Sequence, residues 1–540
     1  MTQRRRFLHA GLGAGLALAL PGCHPLSHLG IPLTVLHPGM AEGHRLRDGA
    51  PLPAPSREIR TGVVILGSGV AGLTAAWRLA KEGVDDFLLV NGPEPDGNAA
   101  GGRFDSPSGA LAYPRGAHYL PLPSPESTTV RELLAELEVI EANPFSARPR
   151  FAETALVHAP DERLFFGGDW HDGLLPTEHV GADEAAQHRR FLAEMARLTH
   201  TRGSDGRRLF CVPLVQSSAD PSWRALDATP FRDWLSASGY TAPSLHAYLD
   251  YVCRDEYGAG PERISAWAGL HYFASRGGQA ENAPDGALLT WPDGLAFLAS
   301  GLRRQVPATR QMAGHALRIR ETGKGVEVLG IDAAGPFLIR ARKAICAMPL
   351  HVAARLIPHI RNYGFDPAAH LPPQAAWLVA NFLLDGFPPE PTEQPLAWDN
   401  VIHGSPGLGW VVATHQQIRA ARPAHTVFTT YRALADRPPA EARRWLESAS
   451  ADELFALASV DLISTYGKLE LWQRTRAVEI TVRAHGMASP VCGSLANPGL
   501  AALREADGRL LFAHADLSGY SVFEEASWWG DRAARLAASH

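Results

Sequence analysis

The chain has 540 residues, and its 51 lysines and arginines against 56 aspartates and glutamates give a net charge of −5 with histidine neutral. This length exceeds what one hydrophobic core supports, so we expect at least two folding units. A hydrophobic content of 46% with 20% charged residues excludes a disordered chain, and the mildly acidic balance argues against a nucleic-acid-binding protein.

The N-terminus has the pattern of an export signal. Three arginines at positions 4–6 precede an uncharged run over residues 10–20, which is too short to span a membrane comfortably. The arginines resemble the twin-arginine signals that export folded proteins, and residues 20–23 resemble a lipoprotein cleavage site ending at Cys23. We therefore predict a signal over residues 1–23 and a periplasmic protein. A lipid anchor through Cys23 and a plain signal with an incidental cysteine both stay open.

The segment that follows, residues 24–57, is rich in proline, glycine and histidine, and its composition predicts a tether. The other four cysteines are widely spaced and form no metal-binding pattern, so we expect buried free thiols. They are Cys211, Cys253, Cys346 and Cys492. The scattered histidines likewise predict no metal site.

The strongest motif lies between residues 62 and 91. An apolar run over residues 62–66 predicts a buried strand, and it leads into the complete G-x-G-x-x-G of residues 67–72. A helix is predicted from Ala71 to Glu82, followed by a second strand over residues 87–90. A glycine motif between a strand and a helix in a unit of this size predicts a Rossmann-like dinucleotide site.

Each glycine of the motif has a physical role. Gly67 permits the tight turn, Gly69 lets the backbone approach a pyrophosphate, and Gly72 lets helix and strand pack closely. The pyrophosphate is expected at the helix N-terminus, beside Ala71. Asn91 stands where an acid normally holds the adenosine ribose, so this unit alone leaves the identity of the dinucleotide open.

The following residues, Gly101-Gly102-Arg103, resemble a segment of the flavin-containing amine oxidase superfamily that contacts FAD. Further similar segments are Trp291–Leu295, Lys343–Leu350 and Leu510–Asp516. The resemblance implies FAD as cofactor, a role for Asp516 at the ribityl chain, and a helix N-terminus near Val522 facing the flavin.

This resemblance implies an α/β fold in which a Rossmann-like FAD-binding domain is interleaved with an α+β substrate domain. The FAD-binding domain would take residues 58–123, 285–350 and 480–540. The substrate domain would take residues 124–284 and 351–479. Cofactor and substrate would meet in the cleft between the two domains.

Aromatic residues are the candidates to line that cleft, because family sites often hold the substrate amine between aromatic rings. We single out Tyr119, Trp410 and Tyr520 as catalytic candidates, with Trp267, Tyr272, Trp291 and Trp398 as further wall residues. Carboxylates for a cationic amine could come from Asp250, Asp255, Glu256 and Asp399.

The chain contains only four lysines, Lys81, Lys324, Lys343 and Lys468. Many oxidases of the superfamily use a lysine near the flavin for the reaction with oxygen, and none of these four has a matching context. The sequence therefore favours an exported FAD-dependent oxidoreductase that acts on a small amine or polyamine. It favours a quinone or another carrier over oxygen as the electron acceptor. The alternatives are a desaturase or porphyrinogen-type oxidase acting on an apolar substrate, and a flavin-containing lipoprotein without catalysis.

Overall fold

The structure is a computed structural model that describes residues 30–107, 109–417 and 423–539. The predicted signal and Cys23 lie outside the described residues. The strands are β1 (Leu33–Leu36), β2 (Arg57–Leu66), β3 (Phe87–Val90), β4 (Gly101–Ser106), β5 (Gly109–Pro114), β6 (Tyr119–Pro121), β7 (Ile140–Ala142), β8 (Arg150–Phe151), β9 (Glu162–Phe166), β10 (Asp169–Asp172), β11 (Leu288–Thr290), β12 (Gln311–Met312), β13 (His315–Thr322), β14 (Gly325–Asp332), β15 (Gly335–Cys346), β16 (Gln374–Asp385), β17 (Asp399–Ile402), β18 (Trp410–Val412), β19 (His425–Ala433), β20 (Thr475–Ala488) and β21 (Leu510–Phe512).

The α-helices of the described residues lie between and outside these strands. They are α1 (Met40–Arg47), α2 (Val70–Lys81), α3 (Thr128–Glu136), α4 (Ala182–His200), α5 (Pro221–Arg224), α6 (Phe231–Ala237), α7 (Pro243–Tyr257), α8 (Ala266–Ala274), α9 (Ala296–Gln305), α10 (Leu350–Leu356), α11 (Pro367–His370), α12 (Pro439–Leu446), α13 (Ala451–Ala458), α14 (Val460–Tyr466), α15 (Lys468–Arg474), α16 (Pro498–Arg504) and α17 (Phe523–Ala538).

The first domain is built on a seven-stranded sheet with the order β12-β3-β2-β15-β14-β13, in which β21 also pairs with β15. β2, β3, β15 and β21 run parallel, and the apolar stretch Val63–Leu66 is buried. The predicted strand–loop–helix–strand unit is confirmed by β2, α2 and β3. Arg78 of α2 pairs with Asp531 of α17 and Glu132 of α3, which ties together segments from distant parts of the sequence.

The second domain is built on an eight-stranded sheet with the order β1-β20-β16-β19-β18-β17-β9-β10. Helices α12–α15 and the apolar face of this sheet share one core, and α4, α6, α7 and α8 form another. The predicted boundary between residues 479 and 480 is wrong, because it cuts β20, which pairs with β16 along its length. The start of the predicted 351–479 piece also differs, because α10 packs into the core of the first domain.

The prediction of a tether over residues 24–57 is wrong for its described part. Leu33–Leu36 form β1, which pairs in parallel with β20, and Met40–Arg47 form α1. The apolar side chains of Leu33 and Val35 pack on the core of the second domain, and Leu46 packs on the core of the first. The proline, glycine and histidine content predicted a tether, yet the short apolar run Leu33–Leu36 forms a strand where the edge of a sheet is available.

The four predicted free thiols are free in the structure, but only Cys211, Cys253 and Cys346 are buried, whereas Cys492 is exposed. Within the described ranges, no group of three or more potential ligands is arranged to hold a metal ion. Among the same residues, no helix is both long and apolar enough to cross a membrane.

Candidate cofactor and substrate cavities

The glycine motif forms a tight loop between β2 and α2. Gly67 has a φ of +102°, a conformation that favours glycine. A Cβ on Gly72 would lie 1.8 Å from the Gly67 carbonyl oxygen, so only glycine allows the helix to pack here. A Cβ on Gly69 would instead meet nothing within 4 Å, and no side chain caps α2. The loop therefore presents open backbone and an uncapped helix N-terminus, which suit an anion.

This loop opens into a cavity of about 1270 Å³, the large cavity, which lies between the two domains. Predicted residues that line it are Gly67, Gly69, Ala71, Asn91, Asp516 and Val522. Gly72 lies beneath the loop, in its predicted packing role. The large cavity thus connects the glycine motif with the N-terminal end of α17.

The predicted contact segment Gly101-Gly102-Arg103 does not line the large cavity, and its contact with a cofactor stays a prediction. It begins β4 of a hairpin with β5, and Arg103 is exposed. Its glycines serve packing, because a Cβ on Gly102 would lie 2.4 Å from the ring of Tyr113. The residues that precede it, Pro93, Glu94 and Asp96–Ala99, line the cavity in its place.

Asn91 follows β3 and lies beside Arg303, which is held by hydrogen bonds. Arg303 Nη2 donates to Asp96 Oδ1 at 2.6 Å, and Arg303 Nη1 donates to Asn91 Oδ1 at 3.4 Å. Asp96 thus supplies a carboxylate close to Asn91, and Arg303 pairs with it. Sequence reasoning missed Arg303, because it comes from α9, more than 200 residues away.

Asp516 lies at the other end of the large cavity and is 1% exposed. The Leu350 amide donates to its Oδ2 at 2.9 Å, and Gln374 Nε2 donates to its Oδ1 at 3.1 Å. Near it, the rings of His351 and His485 stack with centroids 4.2 Å apart, and burial lowers the pKa of His351 to about 4. His351 Nδ1 is buried and has no hydrogen-bond partner among the described residues.

Positive charge also lines the large cavity. Arg47, Arg355, Arg443 and Arg444 belong to its lining, and they complement the uncapped end of α2. This set of donors suits a ligand with two phosphate groups. Residues 37–40 and 42–44, with Leu46 and Arg47, form one wall, a contribution of the N-terminal segment that its tether-like composition gave no sign of.

A second cavity of about 180 Å³, the small cavity, adjoins the large one, and Ala117, Leu295 and Val522 line both. The catalytic candidates Tyr119 and Tyr520 line the small cavity, together with Tyr272 and Tyr431. The structure therefore brings two of the three predicted catalytic residues together.

The third candidate, Trp410, does not lie in either cavity, which corrects its assignment. It is 0% exposed and packs in the core of the second domain against Trp170, Phe428 and Tyr466. The predicted wall residue Trp267 is likewise a core residue that contacts Phe210 and His271. An aromatic residue in an apolar strand or helix has the same sequence pattern in a core and in a cavity wall.

The small cavity contains an ion pair and two further carboxyl groups. Arg276 Nη2 donates to Glu256 Oε2 at 2.7 Å and to the Tyr119 hydroxyl at 3.3 Å. Burial and the neighbouring Glu256 raise the pKa of Asp255 to about 7, and burial raises the pKa of Glu524 to about 7. Neither carboxyl forms an ion pair with a described residue, so the cavity favours a cation.

Comparison with known proteins places the chain among folds that bind dinucleotides. A family model for an NAD(P)-binding Rossmann-like domain matches residues 65–137. No curated protein matches the chain in sequence. Putrescine oxidase with bound putrescine superposes with a TM-score of 0.60 at 15% identity, covering 89% of this chain and 100% of that one.

Two further solved structures show the same two-domain architecture. Cyclohexylamine oxidase from Brevibacterium oxydans IH-35A gives a TM-score of 0.60 at 17% identity, covering 88% of this chain and 99% of its own. The CLA-producing fatty acid isomerase from P. acnes gives a TM-score of 0.56 at 15% identity, with 87% and 97% covered. The chain has the fold of the flavin amine oxidases.

The flavin amine oxidase fold explains why the two cavities meet where they do. Its Rossmann-like domain supplies the glycine loop and the start of α17, and its other domain supplies Asp255 and Glu256 of α7 and Arg276 of the loop after α8. Because an isomerase shares the fold, the chemistry must be argued from this chain's own residues.

Two charged residues of the small cavity were missed by sequence reasoning. Arg276 lies in the loop after α8, and Glu524 lies in the first turn of α17. Glu524 could have been suspected, because it follows directly on the predicted helix start at Val522. Arg276 carries no motif and becomes informative only through its contact with Glu256.

Proposed function

We propose that the protein binds FAD in the large cavity and oxidises a small amine in the small cavity. The proposal is carried by one observation: two carboxyl groups without a cationic partner, Asp255 and Glu524, face an aromatic cavity that adjoins a dinucleotide-sized one. Arg276 does not cancel them, because its charge is neutralised by Glu256. A bound ammonium group would supply the missing positive charge.

The residues present fit FAD as a dianionic ligand. The pyrophosphate would lie at the uncapped start of α2, beside Gly69 and Ala71, with the arginines of the large cavity as counter-charges. Asp516 and the unpartnered Nδ1 of His351 would hold hydroxyl groups, and the positive end of α17 at Val522 would face the flavin ring. When bound, FAD supplies the two-electron acceptor for the reaction.

The chain's own residues would bind, orient and deprotonate the amine. Tyr119, Tyr272 and Tyr431 form aromatic walls, and Asp255 and Glu524 attract the ammonium group. A carboxyl with a pKa near 7 can also accept the ammonium proton, which leaves the neutral amine that oxidation requires.

The acceptor of the electrons is proposed to be a quinone or another carrier. None of the four lysines lines the large or the small cavity. Lys81 pairs with Glu132 at 2.7 Å, Lys343 Nζ donates to the Leu536 carbonyl at 2.7 Å, and Lys324 and Lys468 are exposed. If reduced enzyme mixed with oxygen in a stopped flow is reoxidised at the full turnover rate, this part of the proposal is wrong.

The central test is an anaerobic reduction screen of the purified flavoprotein. Small aliphatic amines, diamines and benzylamine should bleach the flavin absorbance, whereas polyenes, tetrapyrroles and fatty acids should not. Bleaching only by an apolar substrate would favour the desaturase alternative, and a bound flavin that no substrate reduces would favour a non-catalytic role. Absence of any bound flavin would overturn the cofactor assignment.

Export remains part of the proposal. The predicted signal implies that the protein folds and binds its cofactor before it reaches the periplasm, where Cys23 would carry a lipid. Cell fractionation of the full-length chain, with Arg5→Lys plus Arg6→Lys and Cys23→Ala as variants, tests the two steps separately. Cytoplasmic retention of the arginine variant and release of the Cys23→Ala variant from the membrane are the expected results.

A further inference from the structure

A third cavity of about 370 Å³, the side cavity, lies in the second domain between α7 and the ends of β17 and β19. None of the residues that line it lines the large or the small cavity. Its volume lies within the range of small-molecule sites, about 300–1,000 Å³. Much of its wall is apolar or aromatic, formed by Leu164, Leu174, Tyr248, Tyr251, Val401 and Ile402.

Arg432 of β19 lines the side cavity and is only 6% exposed. Its Nε is buried without a hydrogen-bond partner, and no described residue forms an ion pair with its guanidinium group. Asp436 and Asp461 act on it only through longer-range attraction. Asp461 is itself occupied, since it accepts from Ser405 and, at 2.9 Å, from the Gly409 amide.

The other charged groups around the side cavity have partners. Arg254 Nε lies 2.8 Å from Asp250 Oδ2, Glu262 Oε2 lies 3.0 Å from Arg232 Nη2, and Asp436 Oδ2 lies 3.2 Å from Arg437 Nη2. Arg432 is therefore the one guanidinium of this cavity, among the described residues, that lacks an acceptor. A buried arginine without an acceptor is costly, and a ligand that supplies one would remove that cost.

We propose that the side cavity binds a small monocarboxylate with an apolar body, held at its carboxylate by Arg432. The planar guanidinium group matches a carboxylate with two parallel hydrogen bonds. The apolar walls accommodate the body of the ligand. Inorganic phosphate has no apolar body to fill these walls, so we expect it to bind more weakly than a monocarboxylate.

Titration calorimetry on the purified holoenzyme tests this with benzoate and hexanoate, with neutral benzamide and inorganic phosphate as comparisons. We expect saturable binding of a carboxylate, and binding roughly tenfold or more weaker in Arg432→Gln and for benzamide. Arg60→Gln, which removes an exposed arginine of β2 in the first domain, should keep the affinity. Absence of saturable carboxylate binding, equal binding by Arg432→Gln, or tighter binding of phosphate would overturn the proposal.

Thermal unfolding separates a ligand-binding role of Arg432 from a structural one. Without ligand, Arg432→Gln and Arg432→Met should unfold at the same temperature as the unchanged protein or higher, because an unpaired buried charge has been removed. Benzoate should raise the unfolding temperature of the unchanged protein only. A lowered unfolding temperature in both variants would show that Arg432 supports the fold, against the proposal. If neither variant folds, Ala435→Leu, which fills the cavity and keeps Arg432, must abolish carboxylate binding.

Discussion

Arg276 and Glu256 form an ion pair inside the small cavity, with 2.7 Å between Nη2 and Oε2, and the Arg276 guanidinium lies 4.0 Å from the centroid of the Tyr272 ring. The pair decides the charge of the cavity. Without Glu256, the guanidinium would offset one of the two carboxylates Asp255 and Glu524 and weaken the attraction for a cation. With it, two carboxyl groups remain for a cation.

Glu256→Gln should therefore weaken amine binding. The freed positive charge of Arg276 repels an ammonium group, and we expect the amine concentration for half-maximal anaerobic flavin reduction to rise roughly tenfold or more. Glu194→Gln is the matched control, because Glu194 pairs with Arg197 on the surface of α4. An unchanged half-saturating concentration in Glu256→Gln would contradict the assigned role of the ion pair.

The raised pKa values predict how stability depends on pH. Asp255 and Glu524 have pKa values of about 7 in the folded protein and ~4 when unfolded, so between these values the folded state binds more protons. The free energy of unfolding should therefore fall as the pH rises from about 4 to 7. Asp255→Asn with Glu524→Gln should flatten the profile measured by urea unfolding, although Glu162 and Glu525 contribute in the same direction.

Amine affinity should show the opposite dependence on pH. The carboxylates must be ionised to attract an ammonium group, so affinity should fall as the pH drops through about 7. Flavin reduction measured against amine concentration at several pH values checks this. If the pH dependence of amine affinity is the same in the variant with Asp255→Asn and Glu524→Gln, groups other than these two carboxyls cause it.

Two alanine substitutions in the glycine motif should separate folding from cofactor binding. Gly69 has φ −67° and ψ 179°, which alanine adopts freely, and its Cβ would point into the large cavity. Gly69→Ala should fold normally and lose FAD affinity. Gly72→Ala places its Cβ against the Gly67 carbonyl and should lower the free energy of unfolding by ~1–3 kcal/mol or more. Unfolding curves and FAD titrations of both apoproteins check the contrast.

The N-terminal segment should retain the cofactor. Residues 37–47 cover the large cavity and are held by β1 on one side and by the Arg47–Glu447 ion pair of 2.7 Å on the other. Replacing these residues by a glycine–serine segment of equal length should speed FAD release, measured by the recovery of free flavin fluorescence. Replacement of Ala333 and Ala334, in the exposed turn between β14 and β15, by glycine and serine serves as control. If the segment variant releases FAD at the same rate as the unchanged protein, residues 37–47 do not retain the cofactor.

Trp410→Phe should spare flavin reduction. The residue is buried in the core of the second domain, and its Nε1 has no hydrogen-bond partner among the described residues. The smaller ring leaves a void, so we expect destabilisation of about 1–2 kcal/mol by urea unfolding with an unchanged limiting rate of reduction. Tyr119→Phe should instead lower the limiting rate of flavin reduction and leave the free energy of unfolding nearly unchanged. Its hydroxyl accepts a hydrogen bond from Arg276 inside the small cavity.

The sequence by itself determined the local elements of this protein, whose conformation depends on residues close together in the chain. The strand–glycine loop–helix unit follows from short patterns of apolar residues and glycine, because backbone conformation and strand burial are decided over a few residues. Gly67, Gly69 and Asn91 belong to this unit and line the large cavity. Asp516 and Val522 line it too, but their roles were expected only from the family resemblance.

The tertiary structure alone decided which charges meet. Arg276 and Glu256, Arg303 and Asp96, and Arg483 and Glu94 come from separate elements, and no local pattern links their positions. It also decided that Trp410 is core, that Gly101-Gly102-Arg103 packs in a hairpin, and that the N-terminal segment joins both domains. The physical reason is that burial, ion pairing and cavity shape depend on what lies across the fold, whereas the sequence pattern reports only what lies beside each residue in the chain.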